Sequence, residues 1–376
     1  MSGDMPIKNW TGSGVADFSY DKAIKGHGDN VTKYQKKRYS CQSCPLGCGG
    51  IIDIKKGKFK GKQGHKPEYE TIGAFGGMLL QEDFDAIIEQ NEICNLAGID
   101  TISTGGAVAF AIECFENKII DETDTGGLKL GWGKSEEISQ LTQMIATREG
   151  FGDILADGVK KAAERIGKGS EKYAIHAGGQ ELPMHDSRCD VGYAVAYECE
   201  PTPGRHTIAS LAYADLWQVE KLFPAAKKMM KQAKGKEGKQ VYKCALASIY
   251  MQLMNCAGIC MFGPTTGPVP TVEYFNAVTG WNMTADEYFR IGERILSLRK
   301  AFNMREGISH KDQRLENRAS GRIPVKTGPI KGVTVDTQSL TTIFYDAVGW
   351  DKAKGGPTSS TLTKLGIDEL AAAKNL

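Results

Sequence analysis

The chain has 376 residues, which predicts two or three domains, and its 41% hydrophobic and 24% charged residues are ordinary for a globular protein. The 47 basic and 45 acidic residues give a formal net charge of +2, which argues against nucleic acid as a partner. No run of 18 apolar residues occurs, so no membrane span is predicted. The start of the chain lacks an apolar signal core, and ten cysteines are more typical of metal ligands and buried thiols than of disulfides. Both features predict a cytoplasmic protein.

The first part of the chain is irregular in its pattern. Residues 1–40 are rich in glycine and polar residues and end in a basic run over 33–38, which predicts an N-terminal arm or linker. The segments 51–54 and 58–60 flank a Lys-Gly turn and predict a small hairpin.

The rest of the chain is predicted to be mainly α, with a few short strands, in two helical domains. Apolar residues recur at helical spacing, and Thr284-Ala-Asp-Glu287 is typical of a capping box. The helical segments are 81–94, 104–117, 135–150, 153–166 and the stretch from 284 onward. A composition break at 167–170 predicts a boundary near residue 175, and therefore domains over 41–175 and 176–376.

Three cysteines lie close together in Cys41-Gln-Ser-Cys44-Pro-Leu-Gly-Cys48. Thiolates are the usual ligands of iron–sulfur clusters, and a [4Fe–4S] cube needs four ligands. Short C-x-x-C knuckles also bind zinc, but the sequence has no second C-x-x-C pair. Three close cysteines with a distant fourth therefore favour a cluster over zinc, and chance buried thiols are the third interpretation.

One short pattern occurs twice, as Asn95-Leu-Ala-Gly-Ile-Asp100 and Asn255-Cys-Ala-Gly-Ile-Cys260. Each copy follows an apolar helical run, so either alone reads as an ordinary helix end with a glycine turn. Two matching copies, one ending in a cysteine that could complete a cluster, favour a polar ligand site instead.

These motifs resemble the tungsten-pterin aldehyde ferredoxin oxidoreductase family over nearly the whole chain. The three-cysteine motif is similar to that family's cluster motif, and Cys260 falls where the family has its fourth ligand. Pro67-Glu-Tyr-Glu-Thr71 resembles another family element. Further similar blocks follow in family order, at 100–105, 148–158, 292–295 and 302–307.

The resemblance implies the two helical domains of a three-domain enzyme. The family's first, β-rich domain carries much of the bis-pterin binding and is absent from this sequence. We therefore expect a separate chain to supply it, so that the protein is one subunit of a heteromeric complex. The resemblance also implies ferredoxin or an iron–sulfur subunit as the partner that receives electrons.

The resemblance assigns cofactor roles to two groups of residues. Cys41, Cys44, Cys48 and Cys260 would hold the [4Fe–4S] cluster beside a tungsten or molybdenum bis-pterin, and Cys256 competes for the fourth position. The pterin-binding residues would be Asn95, Gly98, Asp100, Asn255, Gly258 and Ile259. Some family members have aspartate where Asn95 and Asn255 stand, and an amide offers the pterin one acceptor and no charge.

The same resemblance proposes catalytic residues. Glu70, rather than Glu68, would be the active-site carboxylate, although both could simply cap or solvate a loop. His206 falls near the family's active-site histidine, and His185 is its competitor.

The sequence therefore supports several functional hypotheses. The first is an enzyme that oxidises small aldehydes to carboxylic acids and passes electrons through the cluster. The second is a non-catalytic iron–sulfur electron-transfer or scaffold subunit, with a variant that reduces an aromatic thioester as a related option. The third is a structural zinc protein. No nucleotide-binding glycine motif stands out, which disfavours direct use of NAD. The aldehyde, the metal, the final acceptor and the oligomeric state stay open.

Overall fold

A computed structural model describes residues 2–267 and 269–369 of the chain. The chain forms two compact units. The first is Met1–Cys189 with Glu316–Thr334, and the second is Asp190–Leu315 with Val335–Leu376. The described residues are mainly helical with short strands, so the predicted fold class is confirmed. The chain leaves the first unit once and returns to it over 316–334, whereas the predicted domains follow the chain without a return.

The first unit contains mostly short helices around two longer ones. Its helices are α1 (Tyr20–Ala23), α2 (Gly28–Thr32), α3 (Tyr69–Phe75), α4 (Phe84–Ala97), α5 (Thr101–Glu116), α6 (Ser135–Thr147), α7 (Phe151–Leu155) and α8 (Val159–Ile166). Its strands are β1 (Pro6–Ile7), β2 (Gly12–Ser13), β3 (Gln35–Tyr39), β4 (Gly49–Asp53), β5 (Gln63–His65), β6 (His176–Ala177) and β7 (Gln180–Glu181). The strands form the antiparallel sheets β1-β2, β3-β4-β5 and β6-β7.

The second unit is built on two long helices. Its helices are α9 (Val191–Cys199), α10 (Tyr213–Leu216), α11 (Val219–Leu222), α12 (Pro224–Met230), α13 (Gly235–Cys256), α14 (Phe262–Thr266), α15 (Thr271–Thr279), α16 (Ala285–Arg305), α17 (Thr337–Val348) and α18 (Ser359–Leu365). Two short strands, β8 (Trp350–Asp351) and β9 (Gly356–Pro357), pair antiparallel.

Each unit is organised around one buried helix. In the first unit, α5 is buried from Thr104 to Cys114 and packs against α3. A β-carbon at Gly105 would lie 2.7 Å from that of Ala74, so this close approach of the two helices requires glycine. In the second unit, α13 packs against α9, α16 and α17. The backbone of Ile249 in α13 leaves no room for a β-carbon at Gly292 of α16.

The amino-terminal residues, predicted as an arm, are part of the first unit. Lys8, Asn9 and Trp10 all have positive φ, a conformation that costs a non-glycine residue about 1–2 kcal/mol. The backbone N–H groups of Lys8 and Asn9 donate to carbonyl oxygens of Gly77 and Met78. The Trp10 side chain is completely buried. The surrounding contacts therefore hold this turn in place.

A buried ionic network connects the distant parts of the first unit. Arg318 donates to both carboxylate oxygens of Glu113, at 2.8 and 3.0 Å, and to the carbonyl oxygen of Asn9 at 2.9 Å. The Asn9 side chain also donates to Glu113 at 2.6 Å. Arg188 pairs with buried Asp186 and donates to the carbonyl oxygens of residues 10 and 318. This network ties the amino-terminal turn to α5 and to the returning segment.

Some of the local predictions are confirmed by the structure and others are wrong. The capping box at Thr284 and Glu287 is confirmed. The predicted strand 51–54 is close to β4, but the predicted strand 58–60 is wrong, since 57–59 form a 3-10 turn and β4 pairs with β3 and β5. The predicted helix 153–166 is interrupted at Gly158, where φ is +87° and the buried Glu181 carboxylate accepts the Val159 N–H at 2.6 Å. That tertiary contact replaces a helical bond.

Within the residues that the structure describes, no single helix is both long and apolar enough to cross a membrane. The helices α4 and α5 reach the length and hydrophobicity of a membrane span only when they are counted together, and the chain bends by 119° between them.

We expect Arg318→Ala to lower the free energy of unfolding by about 3–5 kcal/mol, because it leaves the Glu113 carboxylate buried without its cation. The matched control is Arg165→Ala, since Arg165 pairs with Asp153 where both side chains are about half exposed. An exposed pair contributes less than about 1 kcal/mol. Chemical denaturation measures both variants, and equal losses would contradict the importance of the buried network.

Candidate functional site

The three clustered cysteines lie on the loop that joins β3 to β4. The thiols of Cys41 and Cys48 are exposed, and that of Cys44 is half-buried. The Cys44 N–H donates to the Cys41 carbonyl oxygen at 3.1 Å, which closes the first turn of the loop. Positive φ angles at Ser43 and Gly47 bend the rest. Three soft sulfur donors therefore lie on one short, accessible loop.

Two basic side chains from the flanking segments hold this loop through its backbone. Arg38 of β3 donates to the carbonyl oxygens of Leu46, at 2.7 Å, and Gly47. Lys66 donates to the carbonyl oxygen of Cys48 at 2.7 Å. The loop shape is thus fixed through carbonyl groups. This donor set fits an iron–sulfur cluster chemically.

The other cysteines divide by burial. Cys260 and its competitor Cys256 are both exposed, at the end of α13 in the second unit. Burial raises the pKa of Cys94 and of Cys114 to about 12. The pKa values of Cys199 and Cys244 are also raised, again chiefly by burial. These four interior thiols stay protonated and do not match the requirements of a metal ligand.

The two copies of the repeated pattern have the same backbone structure. In the first copy, Gly98 has φ +69° and donates its N–H to the Asn95 carbonyl oxygen, while Ile99 donates to that of Cys94. In the second copy, Gly258 has φ +71° and donates to Asn255, while Ile259 donates to Met254. Both are Schellman helix ends, in which a left-handed glycine closes the last turn.

Exposure changes at the same place in the two copies. The four residues before each pattern are buried, the next four are exposed and the fifth is half-buried. A β-carbon at Gly98 or Gly258 would meet no atom within 4 Å, so glycine is required by φ and not by crowding. Each unit therefore presents an accessible polar loop at the end of a buried helix, which is suited to binding a ligand.

The two copies differ at their last residue, which is Asp100 in the first copy and Cys260 in the second. The Asp100 carboxylate accepts the Ser103 N–H at 2.7 Å and caps α5, so it has a structural role besides the predicted contact with a pterin. Cys260 stands at the equivalent position. The amides of Asn95 and Asn255 are exposed.

The predicted carboxylate Glu70 belongs to a group of three ionisable side chains in the first unit. Glu70 lies in the first turn of α3, where its Oε2 accepts the Met184 N–H at 2.7 Å. Its Oε1 lies 3.3 Å from Nε2 of His185. Nδ1 of His185 lies 2.8 Å from Oδ2 of Asp4. The imidazole thus bridges two carboxylates.

Local packing explains why the His185 loop reaches α3. Gly73 is one turn beyond Glu70, and a β-carbon there would lie 2.6 Å from Cγ of Met184. The Tyr69 hydroxyl donates to the Met184 carbonyl oxygen at 3.0 Å, and its ring lies 5.0 Å from that of His185. A small residue and an aromatic anchor therefore hold the loop against the helix.

The two carboxylates control the charge of His185. Burial alone would lower the pKa of this imidazole, but hydrogen bonds and charge attraction from Asp4 and Glu70 outweigh it and raise the pKa to about 9. The charged form of His185 is therefore favoured, hydrogen-bonded to Asp4 and ion-paired with Glu70.

The remaining predicted residues are placed as follows. Glu68 is exposed and precedes α3, where its side chain makes no capping bond. His206 is half-buried in the second unit, in the connection between α9 and α10. Sequence reasoning missed Asp4, because nothing in its spacing signals a contact with residue 185.

Comparison with known proteins gives consistent matches over the whole chain. The family described as "Aldehyde ferredoxin oxidoreductase, domains 2 & 3" matches residues 1–367. The tungsten-containing aldehyde ferredoxin oxidoreductase of Pyrococcus furiosus is 31% identical over 375 residues, which cover 98% of this chain and 58% of the relative. An aliphatic sulfonate oxidoreductase, WOR-like subunit, of the same organism is 27% identical over 97% of this chain and 55% of the relative.

One solved structure has a similar fold. It is the active site complex BamBC of benzoyl coenzyme A reductase in complex with 1,5-dienoyl-CoA, with a TM-score of 0.74 and 22% identity. The match covers 99% of this chain and 58% of the other. The chain thus spans less than two thirds of the length of these relatives.

We expect Asp4→Asn to lower the pKa of His185, because it removes one of the two carboxylates that outweigh burial. A folded-state pKa raised from 6.5 to about 9 stabilises the fold below pH 6.5, and this contribution is lost as pH rises through about 9. The stability difference between the natural protein and the variant should therefore be largest below pH 6.5 and shrink toward pH 9.

Denaturation at a series of pH values measures this difference. The control is Asp29→Asn, which changes an exposed carboxylate beside His27 and should leave the His185 contribution intact. Parallel stability curves for the natural protein and Asp4→Asn over this range would contradict the assigned pairing.

Proposed function

The chain belongs to the aldehyde ferredoxin oxidoreductase family, of which it spans domains 2 and 3, and from this membership we propose that it is the cluster-bearing subunit of a tungsten- or molybdenum-pterin enzyme. The proposed reaction oxidises an aldehyde hydrate to a carboxylic acid with release of two protons and two electrons. The observation that carries the proposal is the accessible three-thiol loop, Cys41 to Cys48, held through its carbonyl groups by two basic side chains.

The proposed cluster ligands are Cys41, Cys44, Cys48 and Cys260. The three loop thiols are accessible, and Arg38 and Lys66 hold the loop through its carbonyl oxygens. Among the cysteines of the second unit, Cys256 and Cys260 are exposed while Cys199 and Cys244 are buried. We choose Cys260 because it ends the second copy of the pattern and follows the glycine turn.

The proposed pterin contacts are the two glycine-closed loops, through Asn95, Gly98 and Asp100 and through Asn255, Gly258 and Ile259. Their matched geometry supports a pair of related ligands, as a bis-pterin would be. The exposed amides can donate and accept hydrogen bonds. When bound, the metal-pterin group would supply a two-electron acceptor and the cluster a one-electron carrier.

Proton transfer is assigned to the chain's own side chains. Glu70 is proposed as the group that takes a proton from the substrate, since its carboxylate is half-buried and lies in a fixed array with His185 and Asp4. Its bond from the Met184 N–H fixes its orientation. His206 is proposed as the second catalytic residue. His185, which contacts Glu70 directly, is the competing choice for that role.

The proposed partners follow from the extent of the match. The chain covers 58% of the Pyrococcus relative, so we propose that a separate chain supplies the remaining pterin-binding domain. Ferredoxin or an iron–sulfur subunit is the proposed electron acceptor, and the cytoplasm is the proposed location.

Two alternatives are outcomes of the same experiments. A subunit without tungsten, molybdenum or pterin would be an electron-transfer or scaffold protein. The fold shared with the benzoyl coenzyme A reductase complex supports a test of aromatic thioester reduction with a low-potential donor.

We expect about four irons per chain, with tungsten or molybdenum, after anaerobic purification of the native complex. Cys41→Ser and Cys260→Ser should lose most of this iron, whereas Cys256→Ser and the exposed control Cys189→Ser should keep it. Metal analysis and electron paramagnetic resonance measure this. Loss of iron in Cys256→Ser but not in Cys260→Ser would reassign the fourth ligand, and one zinc per chain without brown colour would refute the cluster.

We expect Glu70→Gln to lower kcat for aldehyde oxidation by about 10²–10⁴-fold, because the amide cannot take up a proton. Glu68→Gln is the matched control, since Glu68 is exposed two residues away. His206→Gln and His185→Gln, assayed alongside, identify the histidine that the reaction needs. Undiminished kcat in Glu70→Gln, with metals fully loaded, would remove Glu70 from the mechanism.

A further inference from the structure

The segment that carries His206 connects α9 to α10 and begins Glu200-Pro-Thr-Pro-Gly. Proline has no backbone N–H, so Pro201 and Pro203 leave the start of this segment with few donors of its own. The Gly204 N–H donates to the Tyr197 carbonyl oxygen at 3.3 Å. Side chains from other helices add further hydrogen bonds to the residues before Gly204.

Two residues on one face of α16 supply donors to this segment. The Asn303 amide donates to the carbonyl oxygen of Pro201 at 2.6 Å. One turn earlier, Nη2 of Arg299 donates to the Thr202 hydroxyl at 2.5 Å. Residues four apart lie side by side on a helix, so α16 binds two consecutive residues of the segment, Pro201 and Thr202. We call these two hydrogen bonds the clamp.

Glu200, the residue before the clamp, is held by hydrogen bonds in the protein interior. The Glu200 side chain is 1% exposed and accepts hydrogen bonds from Ser248 and, at 3.1 Å, from Gln252. The other arm of Arg299 donates to Gln252 at 2.5 Å. A planar guanidinium with several donors can bridge two acceptors in this way, and a lysine ammonium cannot reproduce its fork.

The far end of the segment is fixed separately. The Asp190 carboxylate accepts the Leu211 N–H at 3.2 Å. A β-carbon at Gly192 would lie 2.6 Å from the Leu211 nitrogen, so the backbones approach closely there. Both ends of the connection are therefore attached to helices, and His206 lies in the span between them.

We propose that Asn303 and Arg299 are positioning residues for His206. They act through the 200–202 backbone and side chains, and they need not touch a substrate. This inference rests on the proposed role of His206. It also gives a physical reason for the 302–307 block, because Asn303 is the member of that block that holds Pro201.

The test uses Asn303→Asp in the complete complex. The substitution preserves side-chain size but replaces the donor amide by a carboxylate, which has no proton to give the Pro201 oxygen. Arg305→Gln is the matched control, because Arg305 is exposed in the same block and pairs with neighbouring Glu306. Arg299→Lys is a second variant that retains the charge and tests the clamp if Asn303→Asp does not fold.

The first measurement is the rate at which diethyl pyrocarbonate modifies His206, followed against pH by peptide mass spectrometry. We expect this rate to change several-fold in Asn303→Asp and in Arg299→Lys, with exposed His27 as the internal reference. Arg305→Gln should match the natural protein. Unchanged modification of His206 in both clamp variants would overturn the inference.

The second measurement separates this inference from the proposed function. We expect Asn303→Asp to lower kcat by about 10²-fold, as misplacement of a catalytic group does, with KM for the aldehyde nearly unchanged. If His206→Gln retains full turnover while Asn303→Asp still alters the modification of His206, the clamp stands and the catalytic role of His206 fails.

Discussion

The ends of two buried helices give this protein two exposed loops with the same backbone structure. The α4 and α13 helices are covered by their own units almost to their last turns, and each then ends at a glycine with positive φ. A side chain in that conformation would add about 1 kcal/mol of strain. The side chains become exposed at Asn95 and Asn255, and the chain reverses three residues later at Gly98 and Gly258. The shape of both loops therefore depends on a glycine with positive φ.

The blocks that identify the family have different physical roles. The cysteine loop and the glycine-closed loops expose groups that can bind cofactors. By contrast, the 148–158 block forms surface ion pairs in which Arg148 contacts Asp153 and Asp157. The 302–307 block fixes a neighbouring segment through Asn303. Blocks that resemble a family can therefore serve folding or positioning as well as chemistry. The contacts in the structure are needed to tell these roles apart.

Sequence reasoning succeeded where the relevant groups are close in the chain. The repeated glycine turn is local, and both copies form the same helix end, whereas the assignment of Cys41, Cys44 and Cys48 to a cluster stays a prediction. Mainly helical architecture also followed from local periodicity. The interruption at Gly158 could not be predicted, because the Glu181 carboxylate that replaces a helical bond comes from a later hairpin.

The groups around Glu70 illustrate the same limit. Glu70 was identified through its motif, but its neighbours Asp4 and His185 come from opposite ends of the first unit. No periodicity relates three such positions, which are brought together by tertiary contacts such as the packing of Met184 on Gly73 and the bond from the Asp186 N–H to the Asp4 carbonyl oxygen. The charge state of His185 is therefore a property of the tertiary structure. The same holds for the clamp on 200–202, whose donors lie about a hundred residues later in the sequence.

The left-handed turn at Lys8–Trp10 has a practical consequence for protein engineering. Its strained backbone is retained by bonds from Arg318 and Arg188, and Asp4 lies only a few residues before it. An insertion within residues 4–10 would therefore disturb this turn and, through Asp4, the pairing of the His185 imidazole. Modifications for expression are better made on an exposed surface of the second unit.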